Sequence, residues 1–151
     1  MKNSKKMSKS GIKVVLFQGT FDILNWGHVR AFEMCKGYGT KLIVALNSDK
    51  LVRSYKHREP VLPYYQKKFI IESIRFVDQV VPATHFSPIE LLKKFDVDVY
   101  CIGSEWIESK SQEIAWIKAK GGEIRIIPEF KGVIHTSQIK KILLEEAQNK
   151  G

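Results

Sequence analysis

Between residues 19 and 28 the chain reads Gly-Thr-Phe-Asp-Ile-Leu-Asn-Trp-Gly-His, residue types suited to holding an anion. A tight glycine turn that leads into a helix points unpaired backbone N–H groups outward, and such a helix start attracts phosphate. His28 falls in the first helical turn, where a ring N–H can donate to a phosphate oxygen. Asn25, three residues earlier, suits the N-cap. The same residue types also fit a purely structural reading, with Thr20 and Asn25 as turn and cap residues and His28 as a surface side chain. Three further segments carry groups of the same kind: 47–56 with Asp49, Arg53 and Lys56, 103–106 with Gly103, Glu105 and Trp106, and 130–137 with Thr136 and Ser137.

All four segments follow apolar runs. Residues 12–17 read as a strand buried on both faces, 27–36 as a helix, 41–46 as a second buried strand and 47–63 as a basic, proline-bounded loop. A helix is expected over 64–76, a short strand over 79–81 and a helix opened by Ser87 and Pro88. A strand over 97–102, a helix near 112–120, a strand over 123–127 and a closing helix from Thr136 complete the pattern. Strands alternating with helices at this spacing predict an α/β fold with a doubly wound parallel sheet. In such sheets ligands bind beyond the carboxyl ends of the strands, where the four segments lie.

The motifs, taken in order, resemble those of the cytidylyltransferase-like nucleotidyltransferase superfamily over residues 12–142. Gly19, Thr20, Phe21 and Asp22 followed by Gly27-His28 resemble its signature turn and His-x-Gly-His motif, with Asn25 at the first histidine. Residues 47–61 resemble its second loop, in which a lysine reaches the triphosphate, and 102–106 the loop that holds base and ribose. Gly132 with His135, Thr136 and Ser137 resembles its terminal phosphate-binding element. The resemblance implies a Rossmann-like nucleotidyltransferase fold and a transfer that releases pyrophosphate. His28 would stabilise the α-phosphate, Lys56 the β- and γ-phosphates, and Asn25 would serve as a neutral donor. Gly19, Thr20, Phe21, Asp22, Gly27, Asp49, Gly103, Glu105, Trp106, Thr136 and Ser137 would bind the nucleotide. Magnesium would be held mainly by the triphosphate, with no metal ligands of the protein's own.

Two branches compete. Trp26 and Trp106 resemble glycerol-3-phosphate cytidylyltransferases, whereas residues 47–61 and 121–128 are more similar to heptose-1-phosphate adenylyltransferases. The partners implied are CTP or ATP and a phosphorylated polyol or sugar, with CTP preferred on the two tryptophans. The resemblance also implies a homodimer. Departures from the family pattern are Asn25, Lys67 and Glu129 or Phe130 where arginines are usual, and Ser104 for an acidic residue. They raise the alternative of a nucleotide-binding protein with reduced or lost turnover.

The 151 residues suit one domain with a sizeable core. Hydrophobic residues make up 44%, which excludes a disordered chain, and no apolar run approaches the roughly 20 residues of a membrane span. Four lysines in a basic tail, residues 1–11, account for part of the +9 charge; the excess that remains suits an anionic partner. Nucleic acid is not expected, because basic residues are not interleaved with aromatics. Cys35 and Cys101 read as reduced, buried side chains of a cytoplasmic protein. His57 and His85 read as solvated, Trp116 as core or subunit interface, and Lys140 and Lys141 as a solvated helix face.

Overall fold

The computed structural model describes residues 11–130, 132, 134 and 136–150. Five strands form one parallel sheet: β1 Val14–Gly19, β2 Lys41–Asn47, β3 Gln79–Ala83, β4 Val99–Gly103 and β5 Glu123–Ile127. Their order in space is β3-β2-β1-β4-β5. The chain therefore builds outward from β1 in one direction, then returns to its other side. The reversal opens a crevice beyond the carboxyl ends of β1 and β4, the place where a doubly wound sheet binds ligands.

Side chains alternate across the sheet with period two, and each face has its own core. Val15, Phe17, Leu42, Val44, Leu46, Val99 and Cys101 point to one face, where they meet Phe32 of helix α1 (Trp26–Lys36) and Ile71 of helix α3 (Tyr64–Glu72). Leu16, Ile43, Ala45, Tyr100 and Ile102 point to the other, against Leu92 of α4 (Ile89–Lys94) and Ile117 of α5 (Ser111–Ala119). The continuous apolar runs of β1, β2 and β4 follow from burial on both sides. Pro82 lacks a ladder donor, and it is accommodated because β3 is an edge strand.

Three expectations need correction. Residues 47–63 are not wholly loop: Asp49–Lys56 forms helix α2, capped by Ser48, whose side chain accepts from the Leu51 N–H at 3.2 Å. Its basic residues had suggested a solvated loop, but Leu51 and Val52 are buried while Lys50 and Arg53 face solvent, the pattern of an amphipathic helix. Helix α3 ends at Glu72, not at 76, with Ser73 as C-cap. A 3-10 helix, Ser104–Lys110, intervenes between β4 and α5. The closing helix α6 runs over Thr136–Asn149.

Candidate functional site

The loop after β1 is shaped by Phe21, which adopts a positive φ of 48°. That conformation costs a non-glycine residue about 1 kcal/mol or more. It turns the ring back into the core, 5.0 Å from Phe32, 5.7 Å from Phe17 and 5.3 Å from His28 between ring centres. The ring lies so close to Gly19 that a Cβ there would stand 2.5 Å from its Cζ. Gly19 and Phe21 thus fix the loop geometry from within. Their neighbours Thr20 and Asp22 are thereby oriented.

Asn25 is the N-cap of α1. Its Oδ1 accepts from the N–H groups of Gly27 at 2.9 Å and His28 at 3.2 Å. His28 completes a capping box: its Nδ1 accepts from the Asn25 backbone N–H at 3.2 Å. An accepting Nδ1 puts the proton of the neutral ring on Nε2. The first turn of α1 carries no acidic side chain, so nothing anionic on the helix itself opposes a phosphate at its N-terminus.

On the β2 side, cations gather around one carboxylate. Asp22 is 3% exposed; its Oδ1 accepts from the N–H groups of Val61 at 2.8 Å and Leu62 at 3.2 Å. Its Oδ2 lies 3.5 Å from Lys140 Nζ, an ion pair without hydrogen-bond geometry. Lys140 therefore is not the solvated residue the sequence suggested, because α6 brings it back over the loop after β1. Lys67, fully buried on α3, donates to the Thr20 carbonyl at 3.1 Å. Burial pushes its ammonium below the usual lysine range, against the opposing pull of Asp22 and Asp49. Lys56 is lowered too, chiefly by burial and further by Lys140 and Arg58, although Asp22 works the other way. Lys56, Arg58, Lys67 and Lys140 thus share one electrostatic neighbourhood, with Asp22 as their counter-charge.

Thr20 is held by polar side chains from β2 and α2. Its hydroxyl meets the Tyr55 hydroxyl and accepts from Asn47 Nδ2 at 3.0 Å, while Gln18 Nε2 donates to Asn47 Oδ1 at 2.9 Å. Asp49 accepts from the Tyr64 N–H at 3.0 Å, which caps α3.

A cavity of about 210 Å³ occupies the crevice between β1 and β4. Asn25, Gly27 and His28 form one wall, Gly103, Ser104 and Glu105 another, and Phe17, Ala31, Ile127 and Phe130 its apolar lining. Trp26 packs edge-on against Phe130 at 6.3 Å. The structure thus brings Asn25, Gly27, His28, Gly103 and Glu105 of the anticipated residues to one cavity. Trp106 lines a second, adjoining one instead. Ser137 is exposed near the start of α6; His135 and the side chain of Thr136 lie outside the described residues. Sequence reading missed Gln18, Tyr55 and Lys140. Tyr55 and Lys140 carry a helix-periodicity signal, whereas nothing local marks Gln18.

Residues 16–142 match the family model described as cytidylyltransferase-like. Glycerol-3-phosphate cytidylyltransferase of Staphylococcus aureus is 35% identical over 133 residues, 87% of this chain and 96% of that protein. The protein of the same name from Bacillus subtilis is 35% identical over 135 residues, 86% and 96% respectively. Bifunctional protein HldE of Koribacter versatilis is 31% identical over 130 residues, which cover 85% of this chain and 27% of that protein; the chain spans about a quarter of its length. Among solved structures, the lipopolysaccharide core biosynthesis protein of Thermoplasma volcanium shares the fold, with a TM-score of 0.65 at 21% identity over 80% of this chain and 98% of that one.

Proposed function

The chain belongs to the cytidylyltransferase-like family, and from that premise we propose that it transfers a nucleoside monophosphate from CTP to a phosphorylated polyol, releasing pyrophosphate. The observation that carries this reading is the helix N-terminus with His28 held in its capping box. It stands in one cavity with Gly103 and Glu105, beside the cations grouped around Asp22. One end of the site suits a base and ribose, the other a triphosphate.

In the proposed reaction an oxygen of the acceptor's phosphate forms a bond to the α-phosphorus. The bond from that phosphorus to its bridging oxygen breaks, and the electron pair leaves with pyrophosphate. The protein's work is positioning and charge stabilisation. His28 steadies charge at the α-phosphate, Lys56 at the β- and γ-phosphates, and Asn25 contributes its amide Nδ2, since its Oδ1 is engaged by the cap. Magnesium fits this scheme as a companion of the triphosphate, because phosphate oxygens are the hard ligands it prefers. Among the described residues no group of three or more His, Cys, Asp or Glu forms a metal cluster.

CTP is favoured by Trp26 and Trp106 and by the two cytidylyltransferases whose length this chain nearly fills. A second reading, adenylyl transfer to a sugar phosphate, is favoured by the similarity to bifunctional protein HldE. In either case the product would be an activated precursor of a surface polysaccharide or lipid, made in the cytoplasm by a homodimer. No helix among the described residues is long and apolar enough to cross a membrane. The test is release of pyrophosphate from CTP and ATP with glycerol 3-phosphate and heptose 1-phosphate. Turnover with CTP and glycerol 3-phosphate is expected. Turnover only with ATP would establish the second reading. Nucleotide binding without turnover for every pair would mark a binding protein instead.

A further inference from the structure

A cleft of about 510 Å³ adjoins the nucleotide cavity across the 3-10 helix Ser104–Lys110. Its walls are two exposed aromatic rings, Phe86 at 48% and Trp106 at 56% exposure. Its floor is polar. Glu113, 3% exposed, accepts a hydrogen bond from the Ser87 hydroxyl. Lys110 Nζ donates to the Phe86 carbonyl at 2.6 Å, and Gln112 stands at the rim. One wall of the cleft is tied to the loop after β1, because Phe86 packs at 5.0 Å on Tyr55, whose hydroxyl meets Thr20.

We propose that this cleft seats the hydroxyl-bearing end of the acceptor, with Glu113 as the residue that selects it. The inference rests on the transferase reading above and deepens it. A carboxylate only accepts hydrogen bonds and has about four lone-pair positions; Ser87 fills one. The remaining positions suit O–H donors, while Lys110 in the same lining offsets part of the carboxylate's charge. The acceptor is thereby oriented, hydroxyls toward Glu113 and phosphate outward toward the cavity that His28 lines. Phe86 offers a face on which the C–H groups of a polyol or sugar pack. A buried carboxylate here selects polyhydroxylated acceptors over phosphorylated amines or acids without hydroxyls, because an unmatched buried acceptor is costly.

Two variants test the assignment. Glu113→Gln keeps an oxygen for the Ser87 hydroxyl but loses the charge. Phe86→Ala removes a half-exposed ring of the cleft, so the core is untouched. With a turning-over pair, each variant is expected to raise the acceptor KM at least tenfold and to leave the nucleotide KM within twofold. Unchanged acceptor KM in both variants overturns the proposal while leaving the transferase intact. Independently of turnover, isothermal titration of glycerol 3-phosphate and heptose 1-phosphate into CTP-saturated or ATP-saturated protein reads binding directly. Binding that Glu113→Gln weakens at least tenfold supports the cleft, even in a chain without turnover. Absence of binding by both probes, or binding equal in wild type and both variants, refutes it. Loss of nucleotide binding in wild type refutes the transferase reading as well.

Discussion

Asn25 holds two duties that pull apart. As N-cap its Oδ1 satisfies two backbone donors at 2.9 and 3.2 Å, which accounts for an asparagine here on stability alone. In the proposed chemistry its amide nitrogen faces a phosphate. The two duties are separable by substitution. Asn25→Asp keeps a cap oxygen and adds a negative charge that a helix N-terminus welcomes. Thermal stability is therefore expected to hold or rise slightly, whereas nucleotide affinity by isothermal titration falls at least tenfold, because the new charge opposes phosphate. Asn25→Ala is expected to destabilise by about 1 kcal/mol in urea. Retained nucleotide affinity in Asn25→Asp would place the phosphates away from the α1 N-terminus. His28→Ala is a sharper probe of transition-state stabilisation. Its kcat is expected to fall about 10²–10³-fold, the scale of losing one such donor, with a smaller change in nucleotide Kd.

At the scale of elements, α3 depends on a carboxylate from the preceding helix. Its own N-cap, Pro63, provides no side-chain hydrogen bond, and Asp49 of α2 accepts from the Tyr64 N–H instead. This bond ties α2 to α3 and so holds Lys56 and Lys67 in register beneath the loop after β1. Asp49→Ala is expected to cost about 1 kcal/mol, read as a lower urea midpoint with an unchanged slope. Nucleotide affinity should fall as well, since α3 carries the lysine that donates to the Thr20 carbonyl. A stability loss with wild-type affinity would show that α3 positions nothing in the site. Under the proposed function Asp49 would serve nucleotide binding by holding a helix, because its carboxylate is engaged by the Tyr64 N–H.

Across the whole molecule the two ends of the strands differ in how their charges are paired: the carboxylates at the amino ends are matched by Lys36, Lys120 and Lys13. Carboxylates sit just before or at the start of β3, β4 and β5, where Asp78 accepts from the Leu42 N–H, Asp98 from the Val14 N–H, and Glu123 from Lys13. The opposite edge gathers Lys56, Lys67 and Lys140 around Asp22. Three lysines around one carboxylate leave a local positive excess there, which favours an anion. Burial alone would raise the Asp78 carboxyl, but the Lys36 ammonium and the Leu42 N–H outweigh it and hold the group below its usual range. Glu123 is held low chiefly by Lys13, with Arg125 assisting, against a smaller effect of burial. Both groups bind protons more weakly folded than unfolded. Their stabilisation is therefore present above the ordinary carboxylate range, about 4, and is lost as pH falls through the folded values. Thermal midpoints should decline through that acid window. Asp78→Asn and Glu123→Gln together should flatten the decline, and an unchanged acid limb in the double variant would refute these carboxylates as its source.

The doubly wound architecture was legible because it is written in local periodicity. The apolar runs at β1, β2 and β4 require burial on both faces, and the glycines and prolines between elements mark where the chain turns. The helix start at Asn25 and His28 was legible for the same reason, since capping is a matter of residues three apart. Helix α2 was obscured because its few buried residues, Leu51 and Val52, stand among charges whose solvent-facing side only the packed structure reveals. Partnerships between distant residues were not legible at all. That Lys140 reaches Asp22, that Tyr55 meets Thr20, and that Phe86 and Glu113 border one cleft depend on strand order and helix packing. Residue types carry local preference; which preferences meet in space is decided when two cores close on one sheet.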